Sequence, residues 1–315
     1  MRRDLIELAL AQAGLIDEDD RRDAKLTAVA HRELEFQRSG GYDILYPELK
    51  WAKLIPVDTS VPAGADTIAY EQWDETGEAK IIANGADDLP FSDAAKEKFV
   101  NRTVVVGAAY KVTQEDLMRA EMSGISIENR RQRAAINSIG RLLDRIAALG
   151  DAPSGIKGLL THDQVPVIAA TAAWSTLTAT QLVAELHRLE DNIWSSTLEM
   201  AQPDTLIIPT AQMQLARRSY MSVDNQQTVL QRFLQNAAFI KNVESWHRAS
   251  TAGVGGVARA MAYKRDPACL QISFPVPLRQ LPPQPRNLAL INPMFSKIGG
   301  LEYYFPKSAL YMDGI

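Results

Sequence analysis

The sequence lacks the residue clusters on which most enzymes and metalloproteins depend. It has one cysteine, Cys269, in 315 residues, so it can form neither an internal disulfide nor a thiolate-rich zinc site. Its four histidines are His31, His162, His187 and His247, and they follow no HExxH spacing. No GxSxG or GxGxxG segment occurs either. These absences predict that the chain holds no metal and no cofactor and that it is not an enzyme.

Charge and hydropathy also single out no membrane or nucleic acid as the main partner. The formal net charge is -4, without the positive excess typical of nucleic-acid-binding domains. Two arginines follow Met1, but acidic residues interrupt the apolar stretch that a signal peptide needs. Other apolar runs are far shorter than the roughly 20 residues that cross a bilayer. We therefore expect a protein that is made in a cytoplasm and has no membrane partner.

Residues 66–82 predict a long β-hairpin. Ile68 and Tyr70 alternate with polar neighbours, residues 74–77 supply turn chemistry, and the alternation then resumes. The following residues 83–98 are polar and rich in turn formers, so the hairpin has no obvious partner nearby in sequence. It is therefore expected to project from the body of the protein.

A long helical region is predicted over residues 113–149. Ile136, Ile139, Leu143 and Ile146 recur at three- and four-residue steps and mark a buried face. Ser123-Gly124 predicts a kink near its start. Residues 150–155, rich in glycine, proline and aspartate, end the helix abruptly.

The polar face of this helix is crowded with arginines, among them Arg130, Arg131 and Arg141. Three uses are open: solvation, contact with acidic patches on neighbouring subunits, and attraction to packaged nucleic acid. Asp144 and nearby acids dilute the positive charge. Contact between subunits is therefore favoured.

The rest of the chain alternates helix and strand, which predicts a mixed sheet with helices packed on it and an α+β fold. A helix begins at Thr178, a buried strand spans Thr205–Ile208, and Thr210 is expected to cap a further helix. The predicted β-hairpin of residues 259–274 is followed by a proline-rich connector, residues 275–285, which is expected to join no central strand. The sequence Gly253-Val254-Gly255-Gly256 predicts a mobile surface loop, because it has no phosphate-binding spacing.

This layout resembles the Hong Kong 97-type major capsid proteins of tailed bacteriophages. The specific segments are Gly155-Ile156-Lys157-Gly158-Leu159-Leu160 after the long helix, Pro203–Thr210, Gly299–Pro306, and Thr67-Ile68-Ala69-Tyr70 followed by Gly77–Ile82 and Asp87-Asp88-Leu89-Pro90. The last group resembles a subfamily formerly catalogued as a domain of unknown function. The resemblance implies an N-terminal arm over residues 1–50, an extended hairpin (E-loop) with its flanks over 51–100, a peripheral domain with a spine helix over 101–155, an axial domain over 156–285 and a return to the peripheral domain over 286–315.

The resemblance also implies a function. Copies would assemble through pentamers and hexamers into an icosahedral shell around double-stranded phage DNA, forming the virion capsid in the cytoplasm of the host bacterium. Expected partners are sister copies, separate scaffold, portal and decoration proteins, and packaged DNA through non-specific proximity. Residues expected to contact neighbouring subunits are Tyr70, Trp73, Asp74, Glu75, Gly77, Lys80, Arg130, Arg131, Arg141, Gly253, Gly255 and Gly256. Some relatives join subunits by a Lys–Asn isopeptide bond, for which Lys80 with Asn287 or Asn292 has the right chemistry.

Two alternatives stay open at this point. A cargo-enclosing, encapsulin-like bacterial nanocompartment would share the fold and the same layout. A soluble α/β enzyme that uses residues 66–82 as a mobile lid would need a pocket with converging titratable groups.

Overall fold

The computed structural model describes residues 48–77, 79, 91–123, 127–221 and 226–315. The N-terminal arm predicted over residues 1–50 lies outside this part of the chain except for its last three residues. All the helices and strands described below belong to one unit, Leu49–Ile315.

The described residues contain six α-helices and thirteen β-strands, joined in places by short 3₁₀ turns. The helices are α1 (Trp51–Leu54), α2 (Gln114–Ser123), α3 (Ile127–Leu149), α4 (Ala179–Ser196), α5 (Thr210–Arg218) and α6 (Val229–Asn236). The strands are β1 (Val57–Asp58), β2 (Thr67–Thr76), β3 (Asp93–Thr113), β4 (Val167–Ala169), β5 (Thr205–Ile208), β6 (Asn242–Ser245), β7 (Arg259–Tyr263), β8 (Leu270–Ser273), β9 (Val276–Gln280), β10 (Gln284–Arg286), β11 (Ala289–Gly299), β12 (Leu301–Tyr303) and β13 (Ala309–Asp313).

Strand β3 is shared between two pairing partners. Its inner half, residues 103–113, pairs antiparallel with β11, and its outer half, residues 93–102, pairs antiparallel with β2. Strands β9 and β10 pair with the other edge of β11, which gives the order β10-β11-β3-β2. β3 has 21 residues, and at about 3.3 Å per residue it is about 70 Å long.

The predicted hairpin exists, but its turn and its second strand were placed wrongly. β2 continues through Asp74 and Glu75 to Thr76, where a turn was expected, and its partner strand begins at Asp93 rather than at Ala79. Residues 93–98 have a weakly β-forming sequence, because charged residues and alanine dominate it. They become a strand because the ladder with β2 satisfies their backbone groups, so tertiary pairing overrides local propensity.

The predicted helical region forms α2 and α3, and the kink expected at Ser123-Gly124 falls at residues 124–126, outside the described part. Thr113 precedes α2 and its hydroxyl accepts a hydrogen bond from the Asp116 N–H at 3.2 Å, while Asp116 Oδ2 accepts one from the Thr113 N–H at 3.1 Å. This reciprocal pair fixes the start of α2. In the described part of the chain, no helix is both long and apolar enough to cross a bilayer.

One face of α3 packs on the inner half of β3 and forms a large apolar core with it. The buried residues of this core include Val106, Tyr110, Val112, Ile139, Leu143, Ile146, Met294 and Ile298. Ile136, which was expected on the same face, lies at its margin and is exposed. The helix therefore lies along the part of the sheet from which the hairpin extends.

The end of α3 requires two glycines. Gly150 has φ 73°, a left-handed conformation that glycine adopts without steric cost and that ends the helix. The N–H groups of Leu159 and Leu160 then donate to the Ala147 and Ala148 carbonyls at 2.8 and 2.9 Å, which satisfies the last turn. A Cβ on Gly158 would lie 2.5 Å from the carbonyl carbon of Ala148, so only glycine fits there.

A second five-stranded sheet, in the order β4-β13-β7-β5-β6, separates this core from another one. Alternate residues of its strands point to opposite faces: Ile207 and Met261 belong to the core with α3, whereas Leu206 and Ala262 belong to the core with α4, α5 and α6. The predicted strand at Thr205–Ile208 and the helix after Thr178 are confirmed. The helix after Pro209 is also confirmed, but Thr210 is its first residue and not its cap.

For residues 259–285 one prediction was wrong, and a second was confirmed only in that the segment joins no central strand. β7 and β8 do not form a hairpin, because β7 lies in the five-stranded sheet and β8 pairs with β1 and β12 in a separate three-stranded sheet. The proline-rich residues 275–285 are not a plain connector, since β9 and β10 both pair with β11. Both strands lie at the sheet edge, where a proline that lacks an N–H is tolerated.

The first prediction concerns His162, whose ring packs against Tyr303 with centroids 4.8 Å apart. Burial lowers the pKa of His162 from 6.5 to about 4, and the nearby Asp163 opposes this only partly. Between these two pH values the unfolded chain binds a proton that the folded chain does not, so stability is lost as the pH falls through that window. Each unit of difference between the folded and the unfolded pKa corresponds to about 1.4 kcal/mol. The loss of stability therefore approaches about 3 kcal/mol near pH 4.

His162→Phe keeps a ring against Tyr303 and cannot titrate. We expect the free energy of unfolding, measured by denaturant titration of the unassembled subunit, to depend less on pH between 6.5 and 4 in this variant. His247 is present in both proteins, so the difference isolates His162. Identical pH profiles for both proteins would refute the assignment.

Candidate functional site

The hairpin of β2 and β3 projects as a two-stranded ribbon. Its register runs from Thr67 opposite Arg102 to Thr76 opposite Asp93. Within the described residues, β11 pairs with β3 only as far as Thr103, so no third strand accompanies the ribbon. The side chains of residues 73–76 and 93–98 are all exposed. The outer ribbon therefore has no cover from the described part of its own chain.

The face of the ribbon nearest the body is anchored to β12 by side chains. The Gln72 side-chain N–H₂ donates to the carbonyls of Tyr303 and Tyr304 at 3.1 and 2.8 Å. The Asn101 side chain donates to the Leu301 carbonyl at 3.1 Å. The Tyr70 ring packs edge-on against Tyr304 with centroids 5.1 Å apart. These contacts fix the angle at which the ribbon leaves the body.

A buried lysine anchors the segment that leads into β2. The Lys297 ammonium donates to the Ala63 carbonyl and to Asp66 Oδ1, both at 3.2 Å. Beside it, the Thr103 hydroxyl donates to the Ala65 carbonyl at 2.8 Å. Lys297 lies on β11, so this contact ties the entry of the ribbon to the strand that holds β3.

The ribbon and the residues after β12 border an open groove of about 970 Å³. Trp73, Phe99 and Pro306 line it beside charged residues of both signs, Lys96 and Glu97 among them. In the described residues, no three His, Cys, Asp or Glu side chains lie together as metal ligands would. The groove offers a mixed apolar and charged surface of the kind that protein–protein contacts use.

The arginines predicted as subunit contacts lie along α3 in different situations. Arg130 is exposed, whereas the Arg131 guanidinium donates to Asp116 Oδ2 at 2.6 Å and to the Lys111 carbonyl at 2.7 Å. Together with the hydrogen bonds from Thr113, Arg131 holds the pKa of Asp116 well below its usual range. Arg141 is exposed, and its carbonyl accepts a hydrogen bond from Arg248 at 3.3 Å. Arg131 thus joins α2, α3 and β3 within the subunit.

The predicted glycine loop lies at one end of the sheet β4-β13-β7-β5-β6. This sheet contains neither β2 nor β3, so the loop and the ribbon belong to different sheets. Gly255 and Gly256 have φ 76° and 79°, and a Cβ on either would meet open space. The Gly253 N–H donates to the Val257 carbonyl at 2.9 Å, closing the loop. Gly255 and Gly256 therefore face solvent, whereas Gly253, which was expected to contact a neighbouring subunit, is buried against Val257 and Asp313.

The structure therefore places most of the predicted contact residues on three separate surfaces. Tyr70, Trp73, Asp74, Glu75 and Gly77 share the ribbon, the arginines share α3, and the glycines share the loop. Lys80 lies outside the described residues. Of the two asparagines that could form an isopeptide bond, Asn292 is buried within β11, and Asn287 is exposed with φ 55°.

Sequence reasoning missed the anchoring residues Gln72, Asn101 and Lys297. A signal existed for Gln72, because it continues the two-residue alternation of Ile68 and Tyr70 and so shares their face. Asn101 and Lys297 carry no such signal. Their roles depend on pairing between segments about 200 residues apart.

Comparisons with known proteins identify a family and several solved structures that this chain resembles. The sequence profile of a family described as major capsid protein matches residues 77–315. The capsid of Myoviridae phage XM1 superposes with a TM-score of 0.80 at 16% identity, covering 90% of this chain and 98% of that chain. A chain of Mycobacterium phage Ogopogo gives a TM-score of 0.62 at 12% identity, covering 90% and 98%. The virus-like particle from Pyrococcus furiosus gives 0.53 at 10% identity, covering 83% and 90%.

At these identities the structural similarity shows a shared fold. The predicted α+β fold is confirmed as a mixed helix and strand architecture of the kind found in the XM1 capsid. No curated protein matches the chain.

The second prediction tests the anchoring of the ribbon. Gln72→Ala removes both hydrogen bonds to the carbonyls of Tyr303 and Tyr304, which together contribute on the order of 1 to 2 kcal/mol net. We expect amide hydrogen exchange in residues 71–76 of the unassembled subunit to become about tenfold faster, with little change in the melting temperature. Mass spectrometry of the exchanged peptides measures this.

Glu71→Ala is the matched control, since Glu71 is exposed and, within the described part of the chain, forms an ion pair with Lys96 across the ribbon. An exposed ion pair contributes little, so exchange in this variant should match the unaltered chain. Equal acceleration in both variants would show that the Gln72 contacts do not hold the ribbon.

Proposed function

Because the chain belongs to the major capsid protein family, we propose that its copies close an icosahedral shell through pentamers and hexamers, with the β2–β3 ribbon of each copy lying on a neighbour. The protein is a shell-forming capsid protein. The single observation that supports the proposed role of the ribbon is that the described part of its own chain leaves the outer ribbon uncovered.

Physical chemistry gives a reason for this role. Among the described residues β2 is the outermost strand of its sheet, so no described strand pairs with one row of its backbone N–H and C=O groups. Its sequence contains no lysine or proline, residues that commonly protect exposed edges from unwanted pairing. Trp73 adds a side chain that is 64% exposed. A surface of this kind is stable in a cell when a neighbouring copy covers it.

Many copies of a modest contact suffice to hold a closed shell. Each subunit repeats the same contacts, so weak pairwise terms add up through symmetry and multivalency. Buried apolar area supplies most of the free energy. Charged residues of the ribbon and of α3, Asp74, Glu75, Arg130 and Arg141 among them, set the register between copies.

The domain roles follow the sheet pairing. We assign the β2–β3 ribbon as the E-loop, α2 and α3 as the spine, and β3 with β11 as the centre of the peripheral domain. The sheet β4-β13-β7-β5-β6 forms the axial domain. β13 pairs with β7 and β4, so this assignment moves residues 309–313 from the peripheral return into the axial domain.

The enclosed material is proposed to be double-stranded phage DNA, held without sequence-specific contacts. Assembly would take place in the cytoplasm of a host bacterium, with separate scaffold, portal and decoration proteins as further partners. The similarity to the capsid of phage XM1 favours a virion over a nanocompartment. Family membership likewise favours a shell over an enzyme with a lid.

The third prediction tests assembly directly. In one variant, residues 74–95 are replaced by a short Asn-Gly turn that joins Trp73 to Lys96, which lie opposite each other in the ladder. The anchors Tyr70 and Gln72 remain. Electron microscopy should show shells or capsomers for the unaltered chain. It should show no closed particles for the shortened chain.

Circular dichroism and thermal melting provide the control, because the shortened chain keeps both apolar cores and should unfold within about 3 °C of the unaltered subunit. Closed particles from the shortened chain would contradict the role of the ribbon. A monodisperse monomer from the unaltered chain at high concentration, with scaffold supplied, would contradict shell formation itself.

The fourth prediction isolates Trp73. The Trp73 ring contacts Lys96, whose ammonium lies 5.5 Å from the ring centroid, and is otherwise mostly exposed. Trp73→Ala should therefore change the subunit's free energy of unfolding by less than about 1 kcal/mol. It should raise the protein concentration needed for assembly about tenfold or more, measured by light scattering. Trp73→Phe should restore most of the assembly, and equal assembly by all three proteins would remove Trp73 from the interface.

A further inference from the structure

The turn that follows α4 holds two consecutive non-glycine residues in the left-handed region. Leu198 has φ 50° and Glu199 has φ 68°, a conformation that glycine adopts far more easily. Backbone hydrogen bonds define the turn: the Glu199 N–H donates to the Trp194 carbonyl at 2.9 Å and the Met200 N–H donates to the Thr197 carbonyl at 3.2 Å. Glycine would suit the first position of this helix end, yet the chain places leucine there.

The same turn presents apolar side chains to solvent. Leu198 is 82% exposed and Met200 is 71% exposed. Trp194, in the last turn of α4, contacts the Phe239 ring at 5.6 Å between centroids and extends the surface. Isolated exposed apolar residues are ordinary, but several of them close together in the chain on a strained turn are a feature of contact sites. We call Trp194, Leu198, Met200 and Phe239 the Leu198 patch.

A second exposed apolar surface lies on the glycine loop. Val254 is 77% exposed, and Val257 is also exposed. The Val254 N–H donates to Asp313 Oδ2 at 3.2 Å, which fixes the loop to the last residue of β13. We call residues 253–257 the Val254 loop.

These two surfaces lie at opposite ends of the five-stranded sheet. At one end, Thr205 of β5 is aligned with Asn242 of β6 and Tyr263 of β7. The Leu198 patch belongs to this end, because Glu190 of α4 accepts hydrogen bonds from the N–H groups of Phe239 and Ile240 just before β6.

At the other end of the sheet, Arg259 of β7 is aligned with Asp313 of β13. The Val254 loop belongs to this end, since it precedes β7 and is tied to Asp313. The sheet thus separates the two apolar surfaces within one subunit.

We propose that the Leu198 patch of one copy packs against the Val254 loop of the next copy in the shell. This inference rests on the proposed function, under which each subunit is surrounded by sister copies. A head-to-tail contact needs two different surfaces on every subunit, and repeating it around an axis closes a ring that leaves neither surface exposed. Apolar surfaces at the two ends of one sheet meet this requirement, and the leucine that strains the free subunit is stabilised by burial on its neighbour.

The first test separates folding from assembly. Leu198→Gly relieves the left-handed strain and removes an exposed side chain, so the melting temperature of the unassembled subunit should stay unchanged or rise. The concentration needed for assembly should rise about tenfold or more, as expected for the loss of one buried leucine side chain per contact. Leu198→Met, which keeps the apolar volume, should assemble like the unaltered chain. Normal assembly of Leu198→Gly would overturn the proposal.

The second test identifies the partner surface. The double variant Leu198→Cys with Val254→Cys should form disulfides between copies in assembled particles under oxidising conditions, giving a ladder of linked subunits on a denaturing gel. The native Cys269 is buried, so it contributes little background. A disulfide needs Cα atoms within about 7 Å, so its formation reports direct contact.

The single cysteine variants complete the design. Linked dimers from Leu198→Cys alone would mean that the patch meets itself, and this outcome would overturn the head-to-tail arrangement. Absence of a ladder in assembled particles of the double variant would overturn it as well. These failures differ from failure of the proposed function, in which the unaltered chain itself forms no particles and both proposals are lost.

Discussion

The antiparallel pairing of β3 with β11 is the interaction on which the rest of the molecule depends. It fixes the inner half of β3 above α3, and the same continuous strand then carries the ribbon beyond the body. The ladder between β3 and β11 therefore sets the direction of the ribbon. Lys297 on β11 holds the entry to β2, and Gln72 holds its middle, so side chains reinforce an orientation that the backbone has already set.

The second constraint is the placement of an apolar core on each face of the sheet that contains β5 and β7. A sheet covered on both sides cannot slide in register without exposing one set of side chains. Its ends are therefore rigid platforms for the turns that extend from them. A shell needs contact surfaces whose separation is the same in every copy, and the rigid ends of this sheet meet that requirement.

Much of the secondary structure could be predicted from sequence, since periodicity and capping are local. The spacing of Ile139, Leu143 and Ile146 located α3, and Thr178 with Gln181 located the start of α4 through a complete capping box. The return strand of the hairpin was misplaced because residues 93–98 gain their strand conformation from β2 and not from their own composition. The edge strands β9 and β10 were not predicted for the same reason, because they gain their strand conformation from pairing with β11 and not from their proline-rich composition.

The candidate site was predicted only in part. The resemblance suggested ribbon residues such as Trp73 as contacts, but the anchor Asn101 depends on a carbonyl 200 residues away. Arg131 also shows the limit of sequence, because its charge is used inside the subunit. Positive φ at Leu198 has no sequence signal, since leucine is rarely found in that region.

The distance in sequence between β3 and β11 has a consequence for protein synthesis. β3 ends at Thr113 and its partner begins at Ala289, so the ribosome must produce most of the chain before the ladder can form. A prematurely terminated polypeptide lacks β11 and cannot orient its ribbon. Completion of the sheet that holds the ribbon therefore depends on completion of the chain.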